Sequence, residues 1–136
     1  MRLLSLAGGE MTIESNASRL TVKPPSPKPV YYHCHVYFDD RTAEKADGVY
    51  RLASSNQSIE AVGRFHLHPI GPHPCRQFQL LVRASKLSEV MEWLLRYRNG
   101  LDVLVHPDIE DDYAAHTTYA QWLGNAHCLS LDLFKG

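Results

Sequence analysis

Tyr31-Tyr32-His33-Cys34-His35-Val36-Tyr37-Phe38 alternates with a period of two. Successive side chains of a strand point to opposite faces, so Tyr32, Cys34, Val36 and Phe38 share one face while His33, His35 and Tyr37 share the other. The first set suits a core. The second, with two imidazoles, suits a face that no helix covers.

Reading outward from this strand, placed at about 30–39, a helix is expected from a cap at Asp40. Ala43, Ala46, Val49, Tyr50 and Ala53 recur there at helical spacing, which Gly48 weakens. A second strand is expected from Ala61 to His68. Gly71-Pro72-His73-Pro74 then turns the chain, and Gln77 to Val82 forms a third strand. Ser85 caps a second helix striped by Leu87, Val90, Met91, Leu94 and Leu95, and Asn99-Gly100 stops it in left-handed backbone. Leu101 to His106 is a fourth strand ended by Pro107, and Tyr113 to Leu123 reads as a third helix closed by Gly124.

The order strand, helix, strand, strand, helix, strand predicts an α+β fold of the ferredoxin-like, split βαβ kind. Its sheet would have four strands in the order 4-1-3-2, antiparallel apart from a parallel central pair, with helices on one face. That arrangement puts the start of strand one, the end of strand two, the start of strand three and the end of strand four at one pole. His33, His35, His66, His68, His73 and His106 are all expected there, joined on the open face by Gln77 and Gln79. So polar a face is expected to be a ligand cleft, or to be partly covered by a second copy of the chain. Apolar rims at Tyr31, Tyr37, Leu81 and Leu104 point to a homodimer.

Composition limits the alternatives. The chain of 136 residues is 44% hydrophobic and 21% charged, as expected for one globular domain. A net charge of −1 without a Lys/Arg run argues against a nucleic-acid partner. Cys34, Cys75 and Cys128 are odd in number and lack Cys-x-x-Cys spacing, which favours reduced thiols and a cytoplasmic location. Residues 1–28 end in Pro24-Pro25-Ser26-Pro27-Lys28 and read as a flexible tail preceding a domain at 29–136, with Met11 an alternative start. Leu3, Leu4 and Leu6 are interrupted by Gly8, Gly9 and Glu10, too soon for a signal peptide or a membrane span.

Several blocks together resemble a known family. Tyr32 to Phe38, Arg64-Phe65-His66 with Pro69 to Pro74, Gly100 to Pro107, and Asp112 with His116-Thr117, Ala120 and Trp122-Leu123-Gly124 are similar, in order and spacing, to the DOPA 4,5-dioxygenase family of fungi and bacteria. The resemblance covers about residues 31–131 and implies a ferredoxin-like fold. It also implies extradiol cleavage of a catechol ring, that of DOPA or a relative, by O2 on a non-haem iron. His35, His73, His106 and His116 match the family's blocks most closely; His33 and His66 match less uniformly.

Extradiol chemistry calls for divalent iron, Fe(II), with positions open to catechol and O2, commonly held by two imidazoles and a carboxylate. No carboxylate is obvious: Asp102 shares a side of its strand with His106, and Asp111 or Asp112 could reach in only from a loop. The expected ligands are therefore His35, His73 and His106, a site that zinc or another divalent metal could also occupy after purification. His116, His33 and His66 are the expected catalytic groups, positioned to deprotonate the catechol or steer oxygen. Arg64 and Arg76 could hold a substrate carboxylate, with Gln79 beside them. Cys34 reads as core, and Trp93 and Trp122 as core or interface aromatics; His68 and His127 read as structural. Two other readings fit the same pattern: a non-catalytic metal- or small-molecule-binding module, and a metal-independent dimeric α/β-barrel oxygenase that uses histidine only as a base.

Overall fold

The computed structural model describes residues 28–134; the tail expected at 1–28 and the alternative start at Met11 lie outside the described residues, Lys28 excepted. The elements are β1 (Tyr31–Phe38), α1 (Ala43–Ser54), β2 (Ala61–Val62), β3 (Arg76–Arg83), α2 (Leu87–Tyr97), β4 (Val103–Pro107), α3 (Asp112–Ala115) and β5 (Gln121–Leu123). One sheet runs β2-β3-β1-β4-β5. Its first four strands keep the expected neighbours, and a fifth is added beyond β4.

Every pairing is antiparallel, the central β1–β3 pair included. This corrects the expected parallel pair, and the reason is connectivity. The chain reverses between β2 and β3, so β3 enters between β1 and β2 pointing against both. The pole changes with it: the start of β1 adjoins the ends of β3 and β4, where Tyr31 opposes Arg83 and Tyr32 opposes Pro107. The end of β2 and the start of β3 lie at the opposite pole.

The alternation of β1 holds. Cys34, Val36 and Phe38 join Phe78, Leu80, Val82, Val103 and Val105 on the face that packs against Ala46, Val49 and Ala53 of α1 and Val90 and Leu94 of α2. Burying such a set supplies the main drive to fold, at roughly 25 cal/mol per Å² of apolar surface. Helix α1 begins after a turn in which the Asp39 carboxylate accepts from the backbone N–H of Arg41 and Thr42, so Asp39, not Asp40, organises its start. Ser85 lies within a 3-10 turn, Ala84–Lys86, that precedes α2. Asn99 and Gly100, at φ 52° and 79°, end that helix as expected.

Two expectations fail locally. The second strand shrinks to Ala61–Val62, and past it only Gly63 N–H to Gln79 O and His66 N–H to Gln77 O continue the ladder. The third helix is one turn, capped by Asp111, whose carboxylate accepts from Ala114 N–H. Past it, Gln121, Trp122 and Leu123 pair with Val105, Leu104 and Val103, and sheet pairing overrides the helical spacing of the sequence.

The chain itself covers the open face. Leu104 is 0% exposed and Tyr37 3%, with Trp122 packed edge-on against Tyr37. Neither can serve as a rim for a second copy, while Tyr31 and Leu81 stay partly exposed. No helix among the described residues is long and apolar enough to cross a membrane.

Candidate metal centre

His33 and His106 face each other across the β1–β4 ladder, and His35 is the next residue on the same face of β1. Ligand atoms of these three lie within 4.8 Å of one another. His73 arrives from the opposite pole: the loop from Gly63 to Cys75 folds back over the face and sets the His73 ring 4.1 Å from that of His35. His116, at the end of α3, lies 4.0 Å from His106 between ring centroids, and Phe134 stacks on its other side at 4.7 Å. His35, His73 and His106 are 5%, 6% and 4% exposed.

The hydrogen bonds determine which nitrogens carry protons. His106 Nδ1–H donates to the Pro107 carbonyl at 3.0 Å, and His35 Nδ1–H donates to Gln77 Oε1 at 2.9 Å. Both Nε2 atoms therefore bear lone pairs, and these face each other at 3.1 Å. Two buried acceptors so placed repel, and each lacks a donor, a cost of about 1–3 kcal/mol per unsatisfied group. One cation resolves both, since imidazole nitrogens bind such ions at about 2.0–2.1 Å. Carbonyl and amide partners on the far nitrogens are the usual supports of metal-bound histidines. The residues present thus fit a divalent metal.

Burial holds the imidazoles neutral, the form that binds metal. Desolvation is the largest cause for each, and neighbouring histidines add to it. His106 falls to about 3, also through His116, and His73 to about 4, also through His116 and His66. His35 lies well below its ordinary value, with His73 and His106 contributing after burial. His33 is lowered less, because Asp108, 3.7 Å from its Nε2, opposes the shift.

The remaining expected residues separate. His73 Nδ1 shares a 2.7 Å hydrogen bond with the Tyr37 hydroxyl, and His73 stands beside the group of His33, His35 and His106 whose ligand atoms lie within 4.8 Å of one another. His116 Nδ1–H donates to the Asp112 carbonyl at 2.8 Å, which turns Nε2 to the other side of the ring; it sits after a single turn of helix, not within a long one. His66 and the exposed His68 are on the loop, not on a strand. Gln79 opposes His35 on the site's face. Arg64 is exposed, whereas Arg76 is on the helix side, over the Phe38 ring and paired with Asp40; its position excludes it from the histidine face. Sequence places Gln77 and Tyr37 on the right face by the alternation of β3 and β1 without giving either a role at the site, and it does not mark Asp108. An apolar cleft of about 320 Å³ between Leu87, Met91, Val105 and Tyr119 touches none of these histidines.

A split βαβ sheet with an added edge strand and a buried imidazole cluster on the face away from α1 and α2 defines the class structurally. The model of the Dopa 4,5-dioxygenase family matches residues 32–133, and the chain belongs to that family. It is 28% identical over 108 residues to a DOPA 4,5-dioxygenase of Amanita muscaria, covering 74% of this chain and 47% of that protein. It is 35% identical over 80 residues to an uncharacterized 21.2 kDa protein of Botryotinia fuckeliana, covering 53% and 44%. The chain spans about half the length of the curated relatives it matches. A crystal structure of a candidate dioxygenase from Nostoc punctiforme superposes with a TM-score of 0.77 at 33% identity, over 82% of this chain and 96% of that one.

Proposed function

We propose that the protein is a metal-dependent dioxygenase that opens the ring of DOPA or a related catechol in extradiol fashion. The observation that carries this reading is the pair of facing Nε2 lone pairs on His35 and His106, each with its Nδ1 proton committed elsewhere. His33, His35 and His106 would hold the metal, with Asp108 able to add its carboxylate from beside His33. Ferrous iron, when bound, supplies joint activation of catechol and O2.

The chain's own residues do the rest. His116 presents an Nε2 lone pair to accept a catechol proton, its ring oriented by the Asp112 carbonyl. Tyr37 fixes the His73 ring, and His73 is then placed to exchange a proton over the same face. Leu104, buried opposite His35, and Phe134, stacked on His116, shield the imidazoles from water. Arg64 and Gln79 are the proposed contacts for a substrate carboxylate and hydroxyl. Assembly as a homodimer is proposed on the partly exposed Tyr31 and Leu81, and a monomeric mass by light scattering would exclude it.

The test is anaerobic reconstitution with ferrous iron, followed by oxygen uptake and absorbance of a ring-opened semialdehyde across a panel of catechols. Stoichiometric uptake and product are expected. Metal binding without uptake would identify a binding module, and turnover of metal-free protein would identify histidine acting only as a base.

A further inference from the structure

A second set of reactive side chains lies behind Tyr37. His127 Nε2–H donates to Asp102 Oδ2 at 2.8 Å, which puts the lone pair of His127 on Nδ1, and Nδ1 faces the Cys75 thiol at 3.8 Å. The order is nucleophile, base, orienting carboxylate. The carboxylate is fixed on its other oxygen: Asn125 N–H donates to Asp102 Oδ1 at 2.8 Å. Gly124 makes that turn at φ 84°, and a Cβ there would stand 2.4 Å from the same oxygen. The His127 ring packs 4.9 Å from Tyr37 and 5.5 Å from Trp122, which limits its rotation. A cavity of about 100 Å³ opens onto the thiol, lined also by Tyr37, Asp39 and Thr42.

We infer that Cys75 is a base-assisted thiol that reacts with hydrogen peroxide. The size of the cavity favours a reagent of a few atoms, and the carboxylates of Asp39 and Asp102 favour an uncharged one. Burial, then Asp39 and Asp102, keep the thiol protonated at rest, so the reaction depends on His127 taking the proton as sulfur attacks. In that step an S–O bond forms to one peroxide oxygen and the O–O bond breaks. Sulfur loses two electrons to become a sulfenic acid, and the other oxygen leaves with the proton from His127 as water. The other two cysteines are internal references: Cys128 is exposed, and Cys34 is fully buried with its thiol pushed up to about 12 by desolvation.

The experiment exposes the full chain as purified to hydrogen peroxide with dimedone and follows adduct formation at each cysteine by mass spectrometry. Cys75 is expected to react at least ~10-fold faster than Cys128 despite its lower exposure, and His127→Gln to slow Cys75 by at least ~10-fold while leaving Cys128 unchanged. A Cys75 rate no higher than that of Cys128, or one unaffected by His127→Gln, would overturn the inference. Labelling of Cys34 reports unfolding; if His127→Gln exposes it, Asp102→Asn is judged by the same criterion, and the wild-type ratio of Cys75 to Cys128 stands on its own. A parallel sample with chelator should give the same Cys75 rate, and loss of the adduct there would assign the oxidation to metal and reject the thiol site.

Discussion

The two faces of β1 spend the same eight residues on opposite ends. On the helix side Cys34, Val36 and Phe38 enter an apolar core where each contact stabilises the fold. On the other side His33, His35 and Tyr37 are buried or half-buried beneath loops, with imidazole nitrogens set against each other. Burial on the first face lowers free energy, whereas on the second it raises the cost of protonation and leaves lone pairs that call for a cation. Stability and function are thus separable by parity along one strand, and substitutions that respect the parity should have opposite signatures.

The largest contrast is expected between His106→Ala and Phe78→Ala. The first should abolish stoichiometric metal loading, measured by elemental analysis after ferrous reconstitution, without lowering the melting temperature of metal-free protein, because one of the two facing lone pairs is gone. The second should cost about 3–5 kcal/mol of stability in denaturant titrations and leave metal per folded chain unchanged. Equal effects on both measurements would break the division between the faces.

His116→Ala should keep iron and the melting temperature while reducing kcat by roughly 10²–10⁴-fold, the usual contribution of a general base. Retained turnover with a depressed melting temperature would give His116 a structural role.

Between about pH 6.5 and 4, acid should act mainly through the histidine face. His73 and His106 have folded values of about 4 and 3, below the ordinary value near 6.5, so the unfolded chain binds more protons than the folded one between those limits. Stability of metal-free protein should therefore be full above about pH 6.5 and fall as pH drops toward 4 and 3. Each such group contributes up to about 1.4 kcal/mol per pH unit. Chemical denaturation at stepped pH checks this, and a flat profile from pH 7 to 5 would count against neutral buried imidazoles.

The smallest effect sharpens the comparison. Gln77→Leu keeps volume near His35 and removes the acceptor for its Nδ1 proton, and should weaken metal affinity by about 10–100-fold in competition with a chelator.

How far the sequence could be read follows from how local each feature is. The alternation of β1 is written in consecutive residues, as are the stripe of α2 and the Asn99-Gly100 stop, and all were legible. Residues 120–123 are not decided locally: their helical spacing gives way to pairing with Val103, Leu104 and Val105, which no window around Trp122 contains. His73 was expected in the cluster by a pole argument that the antiparallel central pair removes, and it reaches His35 by a loop path that only the folded chain defines. Parity along β3 sets Arg76 on the helix side with Phe78, opposite Phe38, whatever pole it shares with the histidines. His127 carried no signal at all, since its meaning comes from Asp102, 25 residues away, and Cys75, 52 residues away.

The same separations bear on how the protein acquires its shape. The contacts of His35 with Gln77 and His106 join positions 42 and 71 residues apart, so the imidazole cluster closes only after the loops between β1, β3 and β4 have been ordered. Chains dominated by such distant contacts cross a high entropic barrier and fold slowly. A metal ion present during refolding should therefore slow unfolding far more than it speeds folding, acting as a latch on the finished sheet instead of a seed for it.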